Sequence, residues 1–259
     1  MNGDFPAFFT DSAVSESYKE IGAFYDDFYG KMDDTWNQIA SRGPEFVRFI
    51  ASLVAKTCPT RYLDIGCGEG YQLAAITAPE KHGLDISCKA LKVAARHSGA
   101  NLGLAFAEQL PFSTGYFDAI TSIGVMTHFV DDLAATREIH RVLNQAGRYI
   151  VGLFLRPAFT ERIMAKISEF LYPHPTPVVF INCLKNKISS YLKGARKCDR
   201  IRKDYQPVER YYTQKSVEQL FDKAGFVVLE LITKRRYPEA PLAGHHFRIY
   251  VLQKKRRNK

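Results

Sequence analysis

The chain has 259 residues, 46% of them hydrophobic and 24% charged, and a formal net charge of +9. A chain of this size and composition can bury a full core as one large α/β domain, or as a domain carrying an insertion. No apolar run approaches the roughly 20 residues that span a bilayer, and Met1 to Phe5 lack the basic-then-apolar start of a secretory leader. The five cysteines are scattered and form no C-x-x-C pair, which argues against a zinc site or a disulfide framework and for a reducing compartment. A cytoplasmic protein with no resident metal is expected. The charge is uneven: the first fifty residues are acidic, and the positive excess sits in Arg156 to Lys203 and in the tail 254–259. Such asymmetry marks either a surface for nucleic acid or a membrane, or a solubilising face.

Residues 1–57 read as a helical cap in which Phe24, Phe28, Phe46, Phe49, Ile50, Leu53 and Val54 recur at helical spacing. From Arg61 strands and helices alternate: strands at 61–66, 81–86, 102–107, 117–123 and 148–155, with helices at 71–78, after Ser87 to about His97, and at 131–143. Asn144 to Gly147 reads as a turn. Pro157 interrupts the alternation, and residues 157–210 read as two amphipathic helices around a proline-rich loop, studded with Lys185, Lys187, Lys193, Arg196, Lys197, Arg200, Arg202 and Lys203. The alternation resumes with a Thr213-capped helix ending at Gly225, a sixth strand at 226–232 and a seventh at 247–253. The last two strands have no helix between them and should pair antiparallel. The expected fold is therefore α/β: a doubly wound, seven-stranded, mostly parallel sheet with helices on both faces and an antiparallel last strand. Residues 58–156 and 211–253 would form it, with the insertion at 157–210 and the tail outside it.

Three features fall at successive strand ends. Asp64-Ile65-Gly66-Cys67-Gly68-Glu69-Gly70 follows the first strand, and glycines at alternate positions let the backbone turn tightly and approach a ligand. Alone, this is either a nucleotide site or an ordinary strand-to-helix turn. Asp85 ends the second strand, where a carboxylate can accept hydrogen bonds from both hydroxyls of a ribose, or simply start a helix beside Ser87. Ala107-Glu108 follow the third strand, where a backbone and a polar side chain can meet a base edge. Convergence of the three points to a nucleoside crevice.

With these motifs in order, the chain resembles the class I, Rossmann-like S-adenosylmethionine-dependent methyltransferases. The resemblance runs from Leu63-Asp64-Ile65-Gly66-Cys67-Gly68-Glu69-Gly70 through Gly83-Leu84-Asp85-Ile86-Ser87 and Ala107-Glu108-Gln109-Leu110-Pro111-Phe112. It continues in Phe117-Asp118-Ala119-Ile120 and Glu138-Ile139-His140-Arg141-Val142-Leu143. It is similar in particular to the small-molecule branch that includes ubiquinone- and menaquinone-type enzymes. A nicotinamide-type fingerprint fits less well, because Gly70 comes one residue early for G-x-G-x-x-G. The resemblance implies S-adenosyl-L-methionine as cofactor and S-adenosyl-L-homocysteine as product. It places Asp64, Gly66 and Gly68 around the methionine part, Asp85 on the ribose, Ile86 on the adenine, Ala107 and Glu108 at its edge, and Ile123 near the sulfonium. Many relatives carry Asp where Phe106 stands, which leaves the adenine amino group to Glu108 or a backbone carbonyl.

His128, after the fourth strand, is the best-placed titratable group and reads either as a general base or as a loop-holding histidine. Tyr25 reads either as a lid over the cofactor or as core. The leading expectation is methyl transfer to a small organic acceptor, anionic or lipid-linked in view of the basic insertion. The alternatives are an RNA-modifying enzyme gripping phosphates through the insertion, and a cofactor-binding or peripheral membrane module without transfer activity.

Overall fold

A computed structural model of the chain describes residues 5–8, 12–31, 43–155, 210, 212–242 and 246–256. The insertion expected at 157–210 lies outside the described residues except for Arg210, as do Trp36, Tyr211 and the last three residues of the basic tail. Six helices are described: α1 (Ser12–Lys31), α2 (Gly43–Ala55), α3 (Tyr71–Ala75), α4 (Cys88–Ala94), α5 (Asp132–Val142) and α6 (Gln214–Lys223). The strands are β1 (Arg61–Ile65), β2 (Glu80–Asp85), β3 (Asn101–Leu104), β4 (Phe117–Ile123), β5 (Leu143–Phe154), β6 (Phe226–Ile232) and β7 (Phe247–Lys254). No described helix is long and apolar enough to cross a membrane.

The strands form one seven-stranded sheet in the order β3-β2-β1-β4-β5-β7-β6. Pairing is parallel from β3 through β5, while β7 runs antiparallel to both β5 and β6. The sheet is therefore the doubly wound one expected, and its order reverses between β1 and β4, where such sheets open a crevice beyond the carboxyl ends of their strands. Strand alternation divides the core into two layers. On one face α5 (Ala135, Ile139, Val142) and α6 (Val217, Leu220, Phe221) cover Leu63, Ile65, Ile120, Tyr149, Val151 and Tyr250. On the other, α2 (Phe46, Ile50, Leu53, Val54), α3 (Leu73) and α4 (Leu91) cover Tyr62, Ala119, Ile150 and Ile249.

Helix starts follow their capping residues. Ser87 accepts from the Ala90 amide and Asp131 from the Ala134 amide, while Thr213 and Ser216 form a reciprocal capping box. Two expectations are corrected. Residues 5–8 are not helical: Phe8 N–H donates to Leu104 O at 3.0 Å and Leu104 N–H to Pro6 O at 3.0 Å, so this segment pairs with the open side of β3. That pairing satisfies backbone groups an edge strand would otherwise leave bare. The turn expected at 144–147 lies within β5, as an irregularity between the pairs Phe117↔Leu143 and Ala119↔Arg148.

Phe221 is fully buried, with its ring edge-on to Tyr250 at 5.3 Å. Replacing it with alanine is expected to lower the unfolding free energy by about 3–5 kcal/mol, read by urea denaturation with the native circular dichroism spectrum retained.

Candidate active site

The glycine turn is fastened to its neighbouring strand by backbone and side chain together. Gly66 and Cys67 N–H both donate to Leu84 O, at 2.7 and 3.0 Å. Gly66 and Gly68 stand at φ +69° and +51°, a left-handed region that side chains rarely adopt. A side chain would also crowd its neighbours: a Cβ on Gly66 would lie 2.3 Å from a Val125 methyl carbon, and one on Gly68 would lie 2.8 Å from the Tyr29 hydroxyl oxygen, so each neighbour would have to shift. Asp85, at the end of β2, accepts from Gly68 N–H at 2.8 Å through one oxygen and from Ser87 N–H at 2.9 Å through the other. Burial still pushes its carboxyl above the usual range, against the lowering effect of those amides.

Asp64 is only 3% exposed and accepts from the Thr121 hydroxyl at 2.6 Å. That hydroxyl's single proton is then committed, so Tyr62 O–H must be the donor in its 2.6 Å contact with Thr121. The result is a directed relay from Tyr62 to Thr121 to Asp64. Burial, with a smaller contribution from the Asp85 charge, raises the Asp64 carboxyl to about 7. Two buried carboxylates thus stand behind the same turn, each disfavoured in its charged form.

The third wall is the segment after β4. Gly124 N–H donates to Gly152 O at 2.6 Å, and Met126–His128 forms a 3₁₀ turn in which His128 N–H donates to Val125 O at 2.8 Å. The His128 ring meets the Tyr25 ring of α1 edge-on at 6.3 Å. Ile123 is half-buried and reaches toward β5, its Cδ1 3.2 Å from where a Cβ on Gly152 would sit. Ala107 is buried three residues beyond β3. Glu108 spends its Oε1 on Val130 N–H at 2.8 Å and Asp131 N–H at 3.1 Å, so its carboxylate holds the start of α5. The carboxylate has about four lone-pair sites, so its Oε2 and the backbone of 107–108 are both left to meet a base edge.

Besides Tyr25, helix α1 contributes Gly22, Asp26 and Tyr29, which were not expected at the site from the sequence. Asp26 accepts from Ser87 O–H at 2.6 Å and from Lys89 N–H at 3.0 Å. Gly22 runs close over half-buried Ile86, where a Cβ would sit 3.3 Å from the Ile86 carbonyl oxygen. Burial and the Asp85 charge raise the Tyr29 hydroxyl well above its ordinary value. Gly22, Tyr25, Asp26 and Tyr29 share one helical face (positions i, i+3, i+4 and i+7), and that spacing was the available signal.

These residues fit a nucleoside ligand bearing a cation. The turn carries no side chain at Gly66 or Gly68, whose amides are already held by Leu84 O and Asp85. A carboxylate has about four lone-pair sites, so Asp85 retains capacity for ribose hydroxyls after serving its amides. The buried pair Asp64 and Asp85 favours a positive group nearby.

Comparison with known proteins agrees with this geometry. Residues 63–151 match the family described as "Methyltransferase domain". The chain is 31% identical over 153 residues to a demethylmenaquinone methyltransferase of Thermotoga maritima, covering 56% of this chain and 66% of that protein. It is 28% identical over 159 residues to a ubiquinone/menaquinone biosynthesis C-methyltransferase of a Geobacter species, covering 56% and 67%. The chain thus spans about two thirds of the length of these curated relatives. Its fold is similar to that of a Burkholderia thailandensis 1,6-didemethyltoxoflavin-N1-methyltransferase solved with its substrate and S-adenosylhomocysteine. There the TM-score is 0.59 at 15% identity, over 99% of this chain and 98% of that one. Through residues 63–151 and the sheet built around them, the chain belongs to the class I, Rossmann-like S-adenosylmethionine-dependent methyltransferases.

Proposed function

We propose that the protein transfers the methyl group of S-adenosylmethionine to a small organic acceptor. The observation that carries this reading is that the glycine turn, Asp85 and Ala107-Glu108 follow the carboxyl ends of the neighbouring parallel strands β1, β2 and β3, with Asp64 buried among them. The small acceptors of the quinone-pathway relatives and of the toxoflavin enzyme support a small acceptor here. In this reading Asp64 faces the amino group of the cofactor, Gly66 and Gly68 admit its methionine part, and Asp85 accepts its ribose hydroxyls. Ile86 packs on the adenine and the backbone of 107–108 meets its edge. Ile123 flanks the reacting end, and Tyr25 and Tyr29 close over the crevice from α1.

When bound, the sulfonium supplies an already activated methyl, so acceleration rests chiefly on holding an acceptor in line with it. His128, on the loop between β4 and α5, takes a proton from any acceptor that must lose one. The lysines and arginines of 185–203 suit an anionic or lipid-linked acceptor. If so, neutralising Lys185, Lys187, Arg196 and Lys197 together should raise the acceptor KM and leave kcat nearly unchanged; an unmoved KM argues for a neutral acceptor.

Two measurements test the cofactor site. Calorimetry should show S-adenosylhomocysteine binding to the wild-type protein, and Asp85→Asn should weaken it about 10- to 100-fold, the worth of charge-assisted hydrogen bonds of about 1.5–3 kcal/mol. The second is pH. Asp64 is raised from 3.8 to about 7 in the ligand-free fold, and a cationic group beside it lowers that value again. Ligand therefore prefers the ionised form, so the dissociation constant should rise as pH falls below about 7, and Asp64→Asn should flatten the profile. For the ligand-free protein the same shift acts in the other direction: the group's contribution to stability is present below about 4 and is lost as pH rises to about 7.

A further inference from the structure

The chain leaves β5 at Leu155, and the described residues resume at Arg210 and Tyr212, with Tyr212 in a parallel bridge to Leu155. This return point grips the segment after β4. Arg210 donates its backbone N–H to Thr127 O at 2.7 Å, its Nε–H to Phe129 O at 3.1 Å, and an Nη2–H to Val130 O. Tyr212 O–H donates to Asp132 Oδ2 at 2.7 Å. From the opposite side, Glu108 accepts the Val130 and Asp131 amides at 2.8 and 3.1 Å. The carbonyls of Thr127, Phe129 and Val130 are thus fastened by one residue, and the amides of Val130 and Asp131 by another. Between them they satisfy groups that the ends of the 3₁₀ turn and of α5 leave without helical partners.

We infer that Arg210 is a positioning residue, which holds the loop bearing Val125 and His128 against the glycine turn and links that arrangement to the point where the chain returns from residues 156–209. This rests on the reading of the crevice as a cofactor site. The loop reaches that crevice at three places. Val125 fills the space over Gly66, His128 meets Tyr25, and Glu108 follows Ala107. A planar guanidinium can serve two successive carbonyls at fixed angles, whereas a lysine ammonium is a single point on a flexible stem. Losing the fork therefore frees the loop's carbonyls while the sheet beneath stays packed, and the consequence appears at Gly66 and His128.

The test uses the full chain with Arg210→Ala, Arg210→Lys, Glu108→Gln and the Arg210→Ala/Glu108→Gln pair. One readout is the His128 imidazole resonance, assigned by its loss in His128→Gln. The other is S-adenosylhomocysteine affinity by calorimetry. Arg210→Ala should shift the His128 resonance and weaken binding about threefold to tenfold, Arg210→Lys should restore only part, and the paired variant should depart from additivity because both residues hold one loop. A merely structural anchor would lower the melting temperature and leave both readouts at wild-type values, and that result overturns the inference. If Arg210→Ala does not fold, Arg210→Lys decides by the same resonance. If wild-type protein does not bind S-adenosylhomocysteine, the functional reading fails, while the His128 resonance still decides the role of Arg210.

Discussion

Everything at the crevice depends on one carboxylate, Asp85. Its two oxygens tie Gly68 N–H to Ser87 N–H across the gap between the turn after β1 and the start of α4. Without that bridge the Gly68 amide would lose its acceptor, and the turn would keep the Leu84 carbonyl and its own Gly70 N–H to Cys67 O bond at 2.9 Å. Ser87 extends the bridge outward: its hydroxyl donates to Asp26 of α1, while its oxygen also accepts the Ala90 amide. A single buried acid therefore organises a strand end, a glycine turn, a helix start and, through Ser87, the helix above them.

The sheet was legible in the sequence because its signals are local and strong. Strand runs such as 117–123 and 226–232 are short, apolar and bounded by turn residues, and both appear with the bounds expected of them. The site was legible to the extent that its backbone demands glycine and its strand ends demand carboxylates. What local pattern could not show was partnership. Nothing near Glu108 in sequence claims its carboxylate, yet one of its oxygens accepts amides some twenty residues on. Residues 5–8 carry no strand pattern and pair with β3 only because an edge there offers bare backbone. The 144–147 stretch has the residues of a turn but lies within a strand, where the close approach of Gly147 to the Asp118 carbonyl takes up the irregularity.

Some residues that carry the family resemblance serve the scaffold. Glu138 accepts the Leu110 amide at 3.0 Å, and Arg141 donates to Phe112 O at 2.6 Å and to Leu110 O at 2.9 Å. The Gln109-Leu110-Pro111-Phe112 segment is thus clamped onto α5, which fixes the path of the chain leaving Ala107-Glu108. Burial of Glu138 opposes its charge, but the hydrogen bonds from Arg141 and Leu110 prevail and hold its carboxyl below the usual range. A motif of this kind reports where the chain must pass on its way to the site, which explains how it can mark an active site that it never touches.

The electrostatics of the crevice run against stability in the ligand-free fold. Asp64 and Asp85 are both buried, both raised, and Asp85 contributes to raising Asp64. Cys67, between them in sequence, is pushed up by burial and by both charges, so its thiol stays protonated and inert. Burying one ionised carboxylate is costly, and placing two behind one turn is more so. Each is only partly compensated: Asp64 by the Thr121 hydroxyl, Asp85 by backbone amides. Such an arrangement is relieved by a positive group and by hydroxyl donors; a sulfonium nucleoside with its amino group supplies both, whereas a neutral or anionic nucleotide supplies only the hydroxyls. A phosphate brought to the same turn would find the amides of Gly66, Gly68 and Gly70 already spent on Leu84 O, Asp85 and Cys67 O, and two acids that repel it. The glycine turn admits a nucleotide-like ligand, and the acids behind it select which kind.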